Sequence, residues 1–363
     1  MTGQEPESKL HLMTRTTPTA LWNDSCALGE LRASIDTNGA VGATCNPSIV
    51  LNVVKKEIRA SRDSIRRLIR EMPAATERDI AWRLVEEMSI AAAALLQPVF
   101  EAGSGRDGRL SIQTDPALFR DPAAILAQAL RFHSLAPNMI VKVPATSAGI
   151  AAMEEATYRG VSVNATVSFA LPQAIAVAEA VERGLTRRHK DGHDVSRMGP
   201  VCTLMVGRLD DWLRVVAERD NVIANPDVFD WAGVAVFKKA YAIYRERGYR
   251  LRLLSAAFRN HRHWSELIGG DVIISPPYEW QLRYNASDVE VRSRIGEQVN
   301  AAIVRELEAK FEDFHKAWDE TGMRKEQFDS YGPTLRTLRQ FSQAVDGLVS
   351  IVREELVPNP DAP

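Results

Sequence analysis

Eight short runs rich in apolar and β-branched residues recur along this chain, and stretches with helical spacing separate them. That alternation leaves few options. Parallel strands joined by helices pack into one sheet, and eight such units can close into a barrel. The runs lie at 19–24, 39–44, 109–114, 138–146, 161–167, 201–206, 251–256 and 271–275. Helices are expected at 28–35, 49–72, 76–96, 122–133, 147–158 and 171–184, then from Trp212 and over 234–245. Pro73 separates the second from the third. The expected fold class is α/β, a (β/α)8 TIM barrel over 18–290 with extra helices after strand 2. A helical C-terminal extension follows at 291–357, within a single domain of 1–363. In it, Ile295, Val299, Ile303, Leu307, Phe311, Phe314 and Trp318 form one apolar stripe, read as packing. Residues 358–363 look frayed. A doubly wound open sheet is the competing architecture, but no dinucleotide glycine fingerprint follows the first run. The cluster Gly103–Gly108 reads as a turn, because no Gly-Lys-Ser/Thr follows it.

The 363 residues carry a formal net charge of −2, which gives no sign of nucleic acid or an anionic membrane as partner. Cys26, Cys45 and Cys202 are far apart and odd in number, with no metal-ligand spacing or disulfide framework. A reducing cytoplasm is therefore the expected compartment. Met1–Thr17 reads as a polar arm without the apolar core of a signal peptide. No apolar run is long enough to span a bilayer.

Within the fourth run, Asn138 to Thr146, one lysine interrupts an otherwise apolar, β-branched strand. Burying an ammonium is costly, and the usual escape is a lowered pKa. A neutral amine is a nucleophile, so Lys142 is a candidate for imine chemistry. The bland alternative, a strand-end lysine reaching solvent or a carboxylate, is equally open from this run alone. The strand ends supply context, because barrel catalysts sit there. They carry Asp24, Asn46, Gln113, Asn164, Thr166, Thr203, Arg208, Ser255 and Arg259. The lysine would attack a ketone, the carboxylate would move a hydroxyl proton, and the arginines would hold a phosphate by planar forks. Each alone has a plainer reading: Asp24 as a helix cap, Asn46 as a turn residue, the arginines in surface ion pairs. His261 and His263 read as solvated loop residues.

Taken together, the segments Ala43-Thr44-Cys45-Asn46-Pro47-Ser48, Val141 to Ile150 and Val163-Asn164-Ala165-Thr166 resemble those of transaldolases. Val206-Gly207-Arg208 and Ala257-Phe258-Arg259-Asn260 add to the resemblance, which covers essentially the whole chain. It implies a class I mechanism without metal or organic cofactor. Lys142 would form the Schiff base and Asp24 would take the C4-hydroxyl proton. Asn46 and Asn164 would bind hydroxyls of the retained dihydroxyacetone unit, with Arg208 and Arg259 on phosphate. The family transfers that unit from sedoheptulose 7-phosphate to glyceraldehyde 3-phosphate. The implied partners are thus a ketose phosphate donor and an aldose phosphate acceptor, with the chain a monomer or homodimer. The chain departs from the family pattern at Gln113, where a glutamate is usual beside the threonine matching Thr166. It also departs at Thr203 and Ala257, where serines are common. Fructose-6-phosphate aldolases share the glutamine but carry a tyrosine where this chain has Met205. Three readings stay open: a transaldolase, an aldolase releasing dihydroxyacetone to water, and a sugar-phosphate-binding protein with weakened catalysis.

Overall fold

The structure is a computed structural model that describes residues 7–361. Its strands are β1 (Ala20–Leu21), β2 (Gly42–Thr44), β3 (Arg109–Gln113), β4 (Met139–Pro144), β5 (Val163–Thr166), β6 (Val201–Leu204), β7 (Arg252–Ser255) and β8 (Ile273–Ile274). All pair in parallel in the order β1-β8-β7-β6-β5-β4-β3-β2. A bridge from Asn23 to Ala43 joins the two ends and closes the barrel. Inside, Trp22, Ile140, Val201, Leu254 and Ile273 form an apolar plug. Gly42 faces that plug: a Cβ there would lie 2.5 Å from the Trp22 ring. Outside, the opposite strand faces pack against the helices in a second, larger core.

The helices are α1 (Lys9–Thr16), α2 (Leu28–Asn38), α3 (Pro47–Lys56), α4 (Ile58–Glu71), α5 (Glu77–Ala102), α6 (Pro122–His133), α7 (Ser147–Tyr158) and α8 (Leu171–Lys190). Then come α9 (Val206–Arg219), α10 (Phe229–Arg247), α11 (Arg262–Ser265), α12 (Tyr278–Ala286), α13 (Ala301–Lys310), α14 (Glu312–Trp318) and α15 (Gly332–Leu356). Caps fix several starts. Asp121 accepts from the amides of Ala123 and Ala124, and Pro122 opens α6 where a missing N–H costs nothing. The Thr146 hydroxyl accepts from the Gly149 amide at 3.0 Å and starts α7. α15 lies across α3, α4 and α5 and also touches α9, which brings it to the mouth of the barrel.

Several expectations need correction. The N-terminal arm contains α1, anchored by buried Leu10 and Met13; Met1–Pro6 lie outside the described residues. The 49–72 helix is two helices, because Glu57 leaves helical geometry at φ −109° and ψ 39°. α8 runs to Lys190, six residues past the end expected for it at 184. The tail stripe is not one helix: Ile295 and Val299 precede α13, and the backbone extends at Phe311 before α14. Residues 358–361 form neither helix nor strand; 362 and 363 lie outside the described residues. No helix among the described residues is long and apolar enough to cross a membrane.

Candidate active site

Successive strand residues point to opposite faces, so those two apart share the barrel interior. Lys142 sits one step above the plug residue Ile140 on β4. It is 1% exposed, and its amine makes no hydrogen bond among the described residues. The register aligns Gln113, Lys142 and Asn164 on β3, β4 and β5. Asn164 is clamped from both sides. Its amide donates to the Ser111 hydroxyl at 3.0 Å, and its oxygen accepts from Thr203 at 2.8 Å.

Asp24, half-buried at the end of β1, accepts a short hydrogen bond from the Thr44 hydroxyl. Thr44 in turn lies 3.2 Å from the Ser275 hydroxyl. Burial pushes the Asp24 carboxyl above the usual range, against the opposing pull of Lys142. Burial pushes the Lys142 amine below the usual lysine range, against the pull of Asp24, while Arg208 adds to the lowering. The two shifts converge: burial makes the amine easier to deprotonate and the carboxyl easier to protonate, and no salt bridge joins the two among the described residues.

Around them, Gln113 is buried and its side-chain oxygen has no partner. The Thr166 hydroxyl points at the Met205 sulfur, 3.9 Å away. The Asn46 oxygen caps α3 by accepting from the Ile49 amide at 3.0 Å, which leaves its amide group available. Cys26 and Cys45, distant in sequence, meet below the mouth; their hydrogen bond and burial push the Cys45 thiol well up.

Arg208 and Arg259 stand together at the rim. Arg259 pairs with Asp211 at 2.9 Å, while Arg208 pairs with no carboxylate among the described residues. Instead the Arg208 guanidinium donates to Gln340 and to Thr337 (3.4 Å), both on α15, and lies over the Phe341 ring. Its Nε is buried and unpartnered. Burial, and then Arg259, hold its pKa down to about 10. Arg336, also from α15, lines the same small cavity of about 40 Å³. Three guanidiniums against one carboxylate leave surplus positive charge for an anion.

Three local devices hold the rim. Val167 (φ 51°), directly after β5, and Ala257 (φ 65°), two residues past β7, adopt left-handed backbone, a strain that clusters at functional sites. Gln173 secures the first, donating to the Val167 and Ala145 carbonyls. At the second, a Cβ on Gly207 would lie 1.9 Å from the Ala257 carbonyl, so only glycine fits. His263, expected in solvent, is fully buried. Its Nδ1 accepts from the Arg259 amide at 3.1 Å and its Nε2 donates to Asp210 at 2.7 Å, which fixes the Arg259 loop.

The barrel brings together Asp24, Asn46, Gln113, Lys142, Asn164, Thr166 and Thr203, with Arg208 and Arg259 above. Ser255 does not join them. Leu254 and Ala256 take the interior face of β7, so the Ser255 hydroxyl points outward to the His263 carbonyl. Thr44, Ser111 and Ser275 were missed, although period-two spacing from Asn46 and Gln113 marks the first two. Arg336 had no nearby motif to flag it.

A family model described as Transaldolase/Fructose-6-phosphate aldolase matches residues 21–325. Transaldolase 2 of Streptomyces avermitilis is 32% identical over 244 residues, covering 62% of each chain. A transaldolase of Thiobacillus denitrificans is 34% identical over 234 residues, 62% of this chain and 64% of the relative. One from Mycobacterium ulcerans is 31% identical over 229 residues, 62% of this chain and 60% of the relative. The chain therefore matches less than two thirds of the length of these relatives. The family match nevertheless runs through all eight strands and the rim arginines 208 and 259, stopping short of α15. On that span the chain belongs to the transaldolase/fructose-6-phosphate aldolase family.

Proposed function

We propose that this protein is a transaldolase that moves a dihydroxyacetone unit between sugar phosphates through a Schiff base on Lys142. One observation carries the reading: an amine 1% exposed, free of hydrogen bonds and facing a half-buried carboxyl inside a closed barrel. The neutral Lys142 Nζ adds to the C2 carbonyl of a ketose phosphate, and loss of water gives the imine. Asp24 removes the C4-hydroxyl proton, the C3–C4 bond breaks, and its electron pair is taken up by the iminium as an enamine. The aldose phosphate leaves. The enamine then adds to the aldehyde carbon of a second aldose phosphate, whose new alkoxide takes the proton back from Asp24, and water hydrolyses the imine to free the ketose phosphate and Lys142. Asn164, fixed by Ser111 and Thr203, and the free Asn46 amide hold the hydroxyls of the three-carbon unit. Arg208, Arg259 and Arg336 hold the phosphate. Three buried, unpaired thiols fit the cytoplasmic placement we assign.

Gln113 favours a second reading, an aldolase that releases dihydroxyacetone. Glutamine orients water but does not exchange a proton near neutral pH. Product analysis on fructose 6-phosphate separates the two. A transaldolase yields a new ketose phosphate only when an acceptor aldose phosphate is present. An aldolase yields free dihydroxyacetone without one. Ligand-dependent thermal stabilisation with neither product would leave a binding protein.

A further inference from the structure

The signature of the rim phosphate site recurs at the opposite end of the barrel. Among the described residues, four arginines have a buried Nε without a hydrogen bond: 62, 109, 208 and 252. Those of Arg62 and Arg252 lie 3.1 and 3.2 Å from Glu355 and Asp271. Only Arg109 and Arg208 lack any carboxylate partner. Arg109 opens β3, so its side chain lies at the floor, where strands begin. It is 3% exposed, and among the described residues its guanidinium makes one hydrogen bond, to the Arg197 carbonyl at 2.5 Å.

Its neighbours are also cationic or unsatisfied. Arg197 and Arg109 both lie 5.2 Å from the Phe100 ring centroid. Arg188 donates to the backbone carbonyls of Tyr158 and Asp194 and to no carboxylate. The Nδ1 of His133 is buried and unpartnered. These groups surround a cavity of about 460 Å³ formed by segments that precede β3, β4, β5 and β6. Ser162 adds a hydroxyl whose oxygen accepts from the Gly199 amide, leaving its proton to donate. Two acids also line the cavity, against three guanidiniums, and neither forms a salt bridge with them among the described residues. Asp194 accepts from the Ser196 amide and hydroxyl, and Glu101 accepts from Gln97. Gathering guanidiniums around a void, one of them buried without a counter-ion, destabilises the folded chain unless an anion enters.

We infer that the floor of the barrel is a second anion site, taking a phosphate group in the fork of Arg109 and Arg197 with Ser162 and His133 as neutral donors. Planar guanidiniums match tetrahedral oxyanions in pairs, and the volume admits a small phosphate ester as well as the free ion. The site is independent of the Schiff-base reading, since no residue is shared with the mouth.

Calorimetric titration of the full chain at low ionic strength tests it, with inorganic phosphate in one arm and glycerol 3-phosphate in the other. The expected result is two phosphate groups bound per chain. Arg208→Ala removes the mouth site and leaves the floor site. Arg109→Gln weakens the floor site about tenfold or more and leaves the mouth site. Arg197→Gln, at an exposed position, does the same if Arg109→Gln fails to fold. Tighter binding of the ester at the floor identifies an organic phosphate as the ligand; equal binding identifies the phosphate group alone. A single site in both arms, abolished by Arg208→Ala, or a floor site indifferent to Arg197→Gln, overturns the inference. Labelling at Lys142 is unaffected by either outcome, so failure of this site and failure of the proposed function are separable.

Discussion

The two ends of this barrel solve the same electrostatic problem with different surroundings. At the mouth, Arg208 is half-buried with its Nε sealed from solvent, near Arg259, and held down to about 10; at the floor, Arg109 is buried beside Arg197 and held down to about 10. The mouth adds a lysine and a carboxyl whose pKa values move toward each other. The floor cavity has no lysine; besides the acids Asp194 and Glu101 it offers a hydroxyl and an unsatisfied imidazole. Buried guanidiniums therefore mark where a phosphate group can be held. What would turn holding into chemistry is a buried amine with a lowered pKa near an acid, and among the described residues the mouth supplies it.

The largest expected effect comes from deleting that amine. Lys142→Met should lower turnover by about 10⁴-fold or more, as loss of a covalent nucleophile does. It should also raise stability, because the native fold carries a buried lysine. The sign follows from its lowered pKa. Between the folded value and 10.5 the unfolded chain binds more protons, so wild-type stability climbs with pH through that window. The advantage of the methionine variant is thus greatest below the window and shrinks above it; thermal melts across pH measure this. If the variant is equally stabilised at every pH, the lysine is not buried neutral.

Next come the rim arginines. Arg208→Ala should raise KM for both sugar phosphates about a hundredfold, as expected for losing a charge-assisted pair worth ~2–3 kcal/mol. Arg336→Ala should raise it by roughly tenfold, because Arg336 is one of three cations at the cavity and, unlike Arg208, has no buried, unpartnered nitrogen. Equal KM values for Arg336→Ala and wild type would remove α15 from the site.

The smallest effect tests the departure on β3. Gln113→Glu should speed imine formation or hydrolysis by about tenfold, placing a group that exchanges protons in register with Lys142. Single-turnover rates that stay flat across pH in both variants would show that Gln113 is not where this chain diverges.

Much of this was legible in the chain because local signals agreed. α6 and α7 span the ranges expected for them, 122–133 and 147–158, α6 opening on Pro122 and α7 on its Thr146 cap. Lys142 stood out because charge inside an apolar strand needs a reason. What escaped notice depends on contacts between distant segments. Gly207 reads as a break after strand 6, yet α9 starts at Val206, because glycine there admits the Ala257 carbonyl. Ser255 is a plausible site serine until register gives the interior of β7 to Leu254 and Ala256. The surroundings of His263 come from Asp210 on another helix, and Arg336 reaches the rim only because α15 crosses it.

The central claim is a neutral, reactive amine at residue 142, and borohydride reduction in the presence of fructose 6-phosphate tests it most directly. The account predicts a three-carbon adduct on Lys142 in the peptide mass map, absent when substrate or borohydride is omitted. An unmodified Lys142 under saturating donor would contradict it.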